Sequence, residues 1–167
     1  IYASISAFGD TGPDANRGGF DLIVQAESGL MGVTGSPDSG PVKVGAPVLD
    51  IGAGLATVIG VLVANQLRGE TGVGTKVSSS LLEFALSAFT TLAGDVLATG
   101  QSPPLLGSHS SSFAPYGAVR ARDGHFVLAG AGDERLWQKL CEVIERPGLI
   151  DDPRFANNAD RLLHRDE

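Results

Sequence analysis

The sequence predicts an α/β fold, because strand-like and helix-like segments alternate along its 167 residues. Three observations carry this prediction. Residues 1–7 alternate as a short strand does, and residues 51–68 form a long apolar stretch of helical length. Two β-rich runs, 116–121 and 125–129, flank a turn sequence that is typical of a hairpin.

The first hundred residues are predicted to begin with a strand, a loop and a helix. A loop rich in Gly and Pro follows the strand at 1–7, and apolar residues then recur at helical spacing over 20–31. Asp21 falls in the first turn of that helix, where its charge complements the helix dipole. Residues 42–49 are β-rich and short, so we expect a second strand or an extended stretch there.

The stretch 51–68 is apolar on nearly every side, which predicts a helix buried between layers of the fold. Its uncharged run, 51–64, is shorter than the roughly 18 to 20 residues that cross a membrane, so we expect no membrane span and no membrane partner. Gly52, Gly54 and Gly60 each lower helix propensity by about 1 kcal/mol. Close approach of another backbone or of a ligand explains their presence better than helix formation does.

A strand at 76–79 and a helix at 81–99 complete the first part of the chain, with Ser80 and Glu83 spaced as a capping box. The stretch 101–113 is rich in Ser, Pro and Gly and predicts a linker, which separates a first domain at 1–100 from a second at 114–167. In the second domain, a helix at 134–145 follows the hairpin, and Asp152 with the following proline marks another helix start.

The charge and cysteine content exclude several classes of function. The formal net charge is −7, and the Lys and Arg residues are scattered singly, so we expect no nucleic-acid partner. The single cysteine, Cys141, forbids an internal disulfide and suits a reducing cytoplasm. It lies in a helical apolar pattern that predicts a buried structural thiol. No His, Cys or carboxylate cluster has the spacing of a metal site, so we expect no metal.

Asp50 lies at the predicted junction between strand 42–49 and helix 51–68, and its position admits two interpretations. Aspartate is a preferred N-cap residue, and capping alone is a sufficient reason for its presence. A carboxylate at a helix N-terminus is also held ionised by the dipole, which makes it available as a nucleophile or base. Gly52 and Gly54 would then let a substrate approach and leave amides facing a developing oxyanion.

Several motifs, in one order along the chain, resemble the class III CoA-transferase family. The family includes formyl-CoA and carnitine CoA-transferases and the α-methylacyl-CoA racemases. The matching segments are FGDTGP at 8–13, GFDLIVQA at 19–26, SGLM at 28–31, TG at 34–35, PVKVG at 41–45, DIGAG at 50–54, RGETGVG at 68–74, APYG at 114–117 and DPRF at 152–155.

The resemblance implies CoA transfer from an acyl-CoA to a carboxylic acid, with Asp50 as the nucleophile that forms a covalent aspartyl intermediate. It also implies part of a Rossmann-like large domain, a linker and the start of a smaller α+β domain, in chains that pair as interlocked homodimers. The sequence starts at Ile1 without Met and ends in a helix-like stretch at Glu167, so we expect an internal piece of a longer cytoplasmic protein.

The segment 17–20 matches a stretch that contacts CoA in family members. The resemblance therefore makes Arg17, Gly18, Gly19 and Phe20 candidate CoA-binding residues. A solvated Arg17 and a Phe20 in the core are the alternative interpretations. The racemase branch carries a His where this chain has Phe20, and a phenyl ring cannot move a proton. That departure favours a transferase over an acyl-CoA racemase or epimerase. A non-catalytic CoA-binding domain, in which Asp50 only caps its helix, is a further alternative.

Overall fold

The computed structural model describes the backbone of residues 1–167 and the side chains of all of them except residue 128. The chain divides into two compact units, residues 1–105 and residues 106–167. Both units contain helices and strands, so the predicted mixture of α and β structure is confirmed.

The first unit contains two strands and five helices. In chain order they are β1 (Tyr2–Ser6), α1 (Asp21–Glu27), α2 (Leu30–Thr34), α3 (Val48–Thr71), β2 (Lys76–Ser80), α4 (Leu81–Phe89) and α5 (Thr91–Thr99). β1 and β2 pair in parallel, in register from Tyr2 opposite Lys76 to Ser6 opposite Ser80. A parallel pair needs a long crossover connection, and α3 lies within it.

Local chemistry explains the elements that the sequence predicted well. The Ser80 hydroxyl accepts a hydrogen bond from the Glu83 N–H at 3.1 Å and contacts the Glu83 carboxylate at 3.0 Å, so the predicted cap is confirmed. The predicted helix at 81–99 is divided, because Thr90 adopts a positive φ of 46° between α4 and α5. The predicted helix at 20–31 is also divided, at Gly29, whose φ is 89°.

Of the two structures expected at 42–49, the strand is wrong. Residues 42–49, all of which the structure describes, contain no β-strand, and α3 already begins at Val48. Two backbone N–H groups of this segment, those of Val44 and Leu49, donate to side chains of α1 instead of to a neighbouring strand. The segment is therefore held by side chains that are distant in sequence, which its β-rich composition could not reveal.

The early start of α3 changes the position of Asp50. Pro47 is the N-cap residue, so Asp50 is the third residue of the helix and lies within its first turn. The interpretation of Asp50 as the residue that caps the helix is therefore wrong. Its carboxylate remains near the positive end of the helix dipole, since the dipole acts over the whole first turn.

The expected burial of α3 on nearly every side is also wrong. One side of the helix is buried, at Leu49, Gly52, Ala53, Thr57 and Ala64. Large aliphatic side chains on the remaining surface are each at least half exposed: Ile51, Leu55, Val58, Ile59, Leu62, Val63 and Leu67. By length and composition alone, α3 could cross a membrane, and so could the bent pair α4–α5 if it is taken as one span. This is weak evidence for a membrane span, because core helices of soluble proteins have the same properties.

Two of the three helix glycines are sites of close approach, but the groups that approach them are side chains and not the backbone or ligand that we expected. A Cβ at Gly52 would lie 2.0 Å from Cε1 of Phe84, and one at Gly60 would lie 2.6 Å from Cγ1 of Val77. These positions allow α4 and β2 to pack directly on α3. Gly54 differs, since a Cβ there would have no described neighbour within 4 Å outside the backbone of its own helix.

The core of the first unit joins the end of β1 to helices α1, α3 and α4. Its buried members are Ala7, Phe8, Val24, Leu49, Ala53, Leu81 and Ala85. Thr57 and Ser79 extend the contact between α3 and β2, since their hydroxyls lie 2.6 Å apart and the Thr57 hydroxyl also donates to the Ala53 carbonyl. The N-terminal end of α3 is therefore anchored in the core rather than frayed.

The second unit begins with the predicted hairpin. Its elements are β3 (Tyr116–Arg120), β4 (Phe126–Gly130), α6 (Glu134–Val143), short 3-10 turns at Pro147–Leu149 and Pro153–Phe155, and α7 (Asn158–Leu163). β3 and β4 pair in antiparallel fashion, and Gly124, with φ 90°, lies in the turn that joins them. Asp133 caps α6 through a 2.7 Å hydrogen bond from the Leu136 N–H.

A small core and one buried arginine hold the second unit together. Trp137, Cys141 and Phe155 form the core, and burial raises the pKa of the Cys141 thiol, so the predicted structural thiol is confirmed. Arg161 is only 2% exposed; it pairs with Glu134 and donates to the carbonyls of residues 114 and 155. That pairing lowers the pKa of the Glu134 carboxyl.

Candidate active site

Asp50 presents an exposed carboxylate at the start of a rigid helix. The residue before it, Leu49, is fully buried in the core, and Ala53, one turn later, is fully buried as well. Asp50 itself is exposed. Because the two buried neighbours fix the rotation of the helix, the Asp50 side chain has a defined direction even though it faces solvent.

A buried hydrogen-bond network connects α1 to the entry of this helix. Oδ1 of Asp21 accepts a 2.9 Å hydrogen bond from the Leu49 N–H, and Oδ2 accepts a 2.5 Å hydrogen bond from Nε2 of Gln25. Oε1 of Gln25 in turn accepts a 2.8 Å hydrogen bond from the Val44 N–H. The network therefore holds both ends of the segment that leads into Asp50.

Sequence reasoning missed this network. It assigned Asp21 only to the first turn of its helix, as a complement to the helix dipole, whereas Asp21 is 9% exposed and Gln25 is 0% exposed. The available signal was their spacing. Residues four apart lie on one face of a helix, and a buried face that carries two polar side chains needs partners for both.

The same network links the end of the candidate CoA-binding loop to the start of α3. Phe20 precedes Asp21 and is the N-cap residue of α1, while Leu49 precedes Asp50 near the start of α3. The hydrogen bond between Asp21 and Leu49 therefore joins the immediate sequence neighbours of Phe20 and Asp50. The Phe20 ring is 82% exposed, so the interpretation of Phe20 as a core residue is wrong.

Arg17 does not present an unpaired cation. Its guanidinium forms a two-point ion pair with Glu27, at 2.6 and 3.0 Å, and a 3.0 Å contact with Asp14. These hydrogen bonds, those to Glu27 above all, raise the pKa of Arg17 above its usual value. The guanidinium also lies 4.5 Å above the Phe8 ring, so Arg17 fixes the loop to the core.

The two glycines of the loop have different surroundings. Gly19 packs so closely against the core that a Cβ there would lie 2.9 Å from Cβ of Ala7 and 3.1 Å from the Phe8 ring. Gly18 is exposed, and a Cβ there would meet no described atom within 4 Å. Gly19 therefore allows the loop to pack on the core, while the Gly18 backbone remains accessible.

The space beside Asp50 is open at Gly54. The two residues are four apart and lie on the same face of α3, one turn from each other. Gly52 does not contribute to this space, because the Phe84 ring covers it. The expectation that both Gly52 and Gly54 make room for a substrate is therefore corrected to Gly54 alone.

A separate cavity of about 430 Å³ lies among helices of the first unit, lined mainly by apolar side chains such as Leu86, Phe89 and Val96. Neither Asp50 nor residues 17–20 line it. Among the residues that the structure describes, no three His, Cys, Asp or Glu side chains are grouped to hold a metal ion. Asp50 is thus an exposed residue that lies outside this cavity.

Comparison with known proteins decides the family. The sequence model of CoA-transferase family III matches residues 1–167, which is the whole chain. The chain belongs to CoA-transferase family III. The resemblance seen in its motifs is thereby confirmed.

Relatives of known name are CoA-transferases. The chain is 38% identical to acetyl-CoA:oxalate CoA-transferase of Acetobacter aceti over 99% of this chain and 43% of that protein. It is 35% identical to succinate–glutarate CoA-transferase of Agrobacterium fabrum over 100% of this chain and 42% of that protein. The chain thus spans less than half the length of the curated relatives that it matches.

A solved structure of the family has the same fold over this chain. It is a CaiB/BaiF family protein from Brucella suis, which is 35% identical, with a TM-score of 0.80. The match covers 99% of this chain and 44% of that one. The α/β architecture described above is therefore that of a CaiB/BaiF family protein.

Proposed function

We propose that this chain is part of an enzyme that transfers coenzyme A from an acyl-CoA donor to a carboxylic acid acceptor, with Asp50 as the covalent nucleophile. The observation that carries the proposal is the exposed Asp50 carboxylate in the first turn of α3, with open space beside it at Gly54. The names of the relatives support transfer between acids, because each names a carboxylic acid as a CoA acceptor or donor.

In the proposed reaction the Asp50 carboxylate attacks the thioester carbonyl of the donor. The C–S bond breaks, CoA leaves as a thiolate, and an aspartyl mixed anhydride remains. The thiolate then attacks the Asp50 carbonyl of the anhydride and releases the donor acid as a carboxylate, which leaves an aspartyl-CoA thioester. The acceptor carboxylate repeats these steps in reverse order, takes the CoA and restores the free Asp50 carboxylate.

The loop at 17–20 is proposed to contact the CoA moiety. Phe20 offers an exposed apolar surface, and Gly18 offers an accessible backbone. Gly19 and Arg17 fix the loop on the core, the first by close packing and the second through Glu27 and Phe8. A phosphate of CoA would have to compete with two carboxylates for Arg17, so the proposed role of Arg17 is to shape the site as much as to supply charge.

The domain roles are proposed on the same basis. Residues 1–100 would form part of a Rossmann-like, CoA-binding domain, 101–113 a linker, and 114–167 the start of a smaller domain. The parallel pairing of β1 and β2 around a helical crossover supports the first of these. We further propose that the full-length protein acts in the cytoplasm as a homodimer of interlocked chains.

An acyl-CoA racemase is the second candidate, and the presence of Phe20 argues against it. Racemisation needs a second group that exchanges a proton with the α-carbon, and the phenyl ring of Phe20 cannot do this. Exchange of the α-proton of an acyl-CoA with deuterated water separates the two activities. A transferase without racemase activity leaves that proton in place.

The decisive experiment uses the full-length protein and its Asp50→Asn variant with acetyl-CoA and succinyl-CoA as donors and oxalate and glutarate as acceptors. Asn has the same shape as Asp but is a far poorer nucleophile, so transfer should fall by at least about 1,000-fold while the melting temperature holds. Hydroxylamine added during turnover should convert Asp50 to a hydroxamate that mass spectrometry detects. Equal transfer by Asp50→Asn would overturn the proposal and leave a non-catalytic CoA-binding domain.

A further inference from the structure

We propose that Gln25 is a positioning residue for Asp50, a role that rests on the proposed function of Asp50 as nucleophile. Gln25 is fully buried in α1 and does not reach the solvent in which a substrate would lie. Its effect on the reaction is therefore indirect, through the segment 44–49 that leads into the first turn of α3.

The connection runs through three hydrogen bonds. The Val44 N–H donates to Oε1 of Gln25, Nε2 of Gln25 donates to Oδ2 of Asp21, and Oδ1 of Asp21 accepts from the Leu49 N–H. Asp50 is the next residue. Segment 44–47 belongs to no helix or strand, and the contacts at its two ends restrain its path. Local hydrogen bonds from Lys43 to the carbonyls of residues 44 and 45 add to this restraint.

An amide side chain meets the demands of position 25 at every pH. It must accept a hydrogen bond at one end, from a backbone N–H, and donate one at the other, to a carboxylate. A leucine of similar size would leave Asp21 and the Val44 N–H without these partners in a buried site. A glutamate would place two carboxyl groups 2.5 Å apart, where they repel each other once both are ionised.

The expected result of loosening the network is a slower chemical step rather than weaker binding. Covalent attack requires the reacting atoms to meet at a defined distance and angle, and a displacement of 1 Å costs on the order of 100-fold in rate. Gln25 makes no contact with solvent, so contacts to substrate would be preserved. Loss of the network should therefore lower kcat on the order of 100-fold and leave KM within about threefold.

Gln25→Glu in the full-length protein tests this, because its effect depends on pH. When the new glutamate is protonated, its O–H donates to Asp21 and its carbonyl accepts from the Val44 N–H, which restores the network. When it is ionised, its carboxylate and the Asp21 carboxylate repel each other. We expect the ratio of variant kcat to wild-type kcat to rise at least about tenfold between pH 8 and pH 5.5, measured at a temperature where both proteins are fully folded.

Val24→Ala is the matched control. Val24 is equally buried on the same helix and belongs to the hydrophobic core, not to the network. It should lower the melting temperature while its kcat ratio to wild type stays independent of pH. An unchanged kcat for Gln25→Glu at pH 8, a loss confined to KM, or the same pH-dependent loss in Val24→Ala would overturn the role of Gln25. Failure of the nucleophile proposal is seen separately, as full transfer by Asp50→Asn.

Discussion

The backbone of Gly52 lies directly against the ring of Phe84, so that a single added carbon at Gly52 would sit 2.0 Å from Cε1 of that ring. This contact joins α3 to α4 two residues after Asp50. The contact fixes the distance between the first turns of α3 and helix α4, because the ring could not pack this closely on a residue larger than glycine. The position of Asp50 relative to the core is thereby restrained.

Gly52→Ala is expected to destabilise the protein by about 1–3 kcal/mol, because the Phe84 ring must move from its packed position. Urea unfolding of the full-length protein measures the change. Phe84→Leu, combined with Gly52→Ala, should recover part of the loss by making room for the new methyl group. Gly52→Ala with unchanged stability would contradict the close packing of α3 on α4.

Gly54 offers the opposite case on the same helix. A Cβ there meets no described atom within 4 Å, so Gly54→Ala should raise stability by up to about 1 kcal/mol through helix propensity. Gly54→Leu, in contrast, should block the space beside Asp50 and raise KM for the acyl-CoA by at least about tenfold. Wild-type KM in Gly54→Leu would show that substrate does not enter on this side of the helix.

Phe20→Ala tests the loop at 17–20. The ring is 82% exposed, so its loss should change the free energy of unfolding by no more than about 0.5 kcal/mol. If the ring packs against CoA, the variant loses about 1.5–3 kcal/mol of binding, which is about 10- to 100-fold in KM for the acyl-CoA. Leu22→Ala is the control, a half-exposed apolar residue two positions further along in α1. Equal, small effects of both substitutions on KM would refute a contact at Phe20.

Sequence alone predicted those elements whose signals are local. The capping box at Ser80 and the turn at Gly124 lie within a few residues of the elements that they define, so the start of α4 and the β3–β4 hairpin were predicted correctly. These features need no knowledge of distant contacts. The assignment of Asp50 as the candidate nucleophile came instead from the resemblance to a family along the whole chain, and it stays a prediction.

The features that sequence could not predict depend on contacts between distant residues. Segment 42–49 has a strand-like composition, but its N–H groups are taken by Gln25 and Asp21, 19 and 28 residues earlier. The position of Asp50 in the first turn, rather than at the cap, follows from that arrangement. The exposed aliphatic side of α3 could not be predicted either. The pattern of apolar residues along a helix does not indicate which of these side chains pack against another element.

The last prediction concerns stability in acid and the pair formed by Asp152 and Arg154. Hydrogen bonds from the Arg154 side chain and backbone lower the pKa of Asp152 to about 2, from an ordinary value of 3.8. Since the unfolded chain then binds a proton more readily than the folded one, this pair stabilises the fold fully above about pH 4, and the contribution is lost as the pH falls toward 2.

Arg154→Gln should raise the pKa of Asp152 toward its ordinary value and flatten the loss of stability between pH 4 and pH 2. The measurement is the melting temperature of the full-length protein and the variant across that range. Above pH 5 the variant should melt at a lower temperature than wild type, and the difference should shrink as the pH approaches 2. Arg122→Gln, in the hairpin turn, is the control and should keep the wild-type slope. A constant difference between Arg154→Gln and wild type at every pH would mean that packing of Arg154 on the Phe155 ring, and not its charge, stabilises this part of the fold.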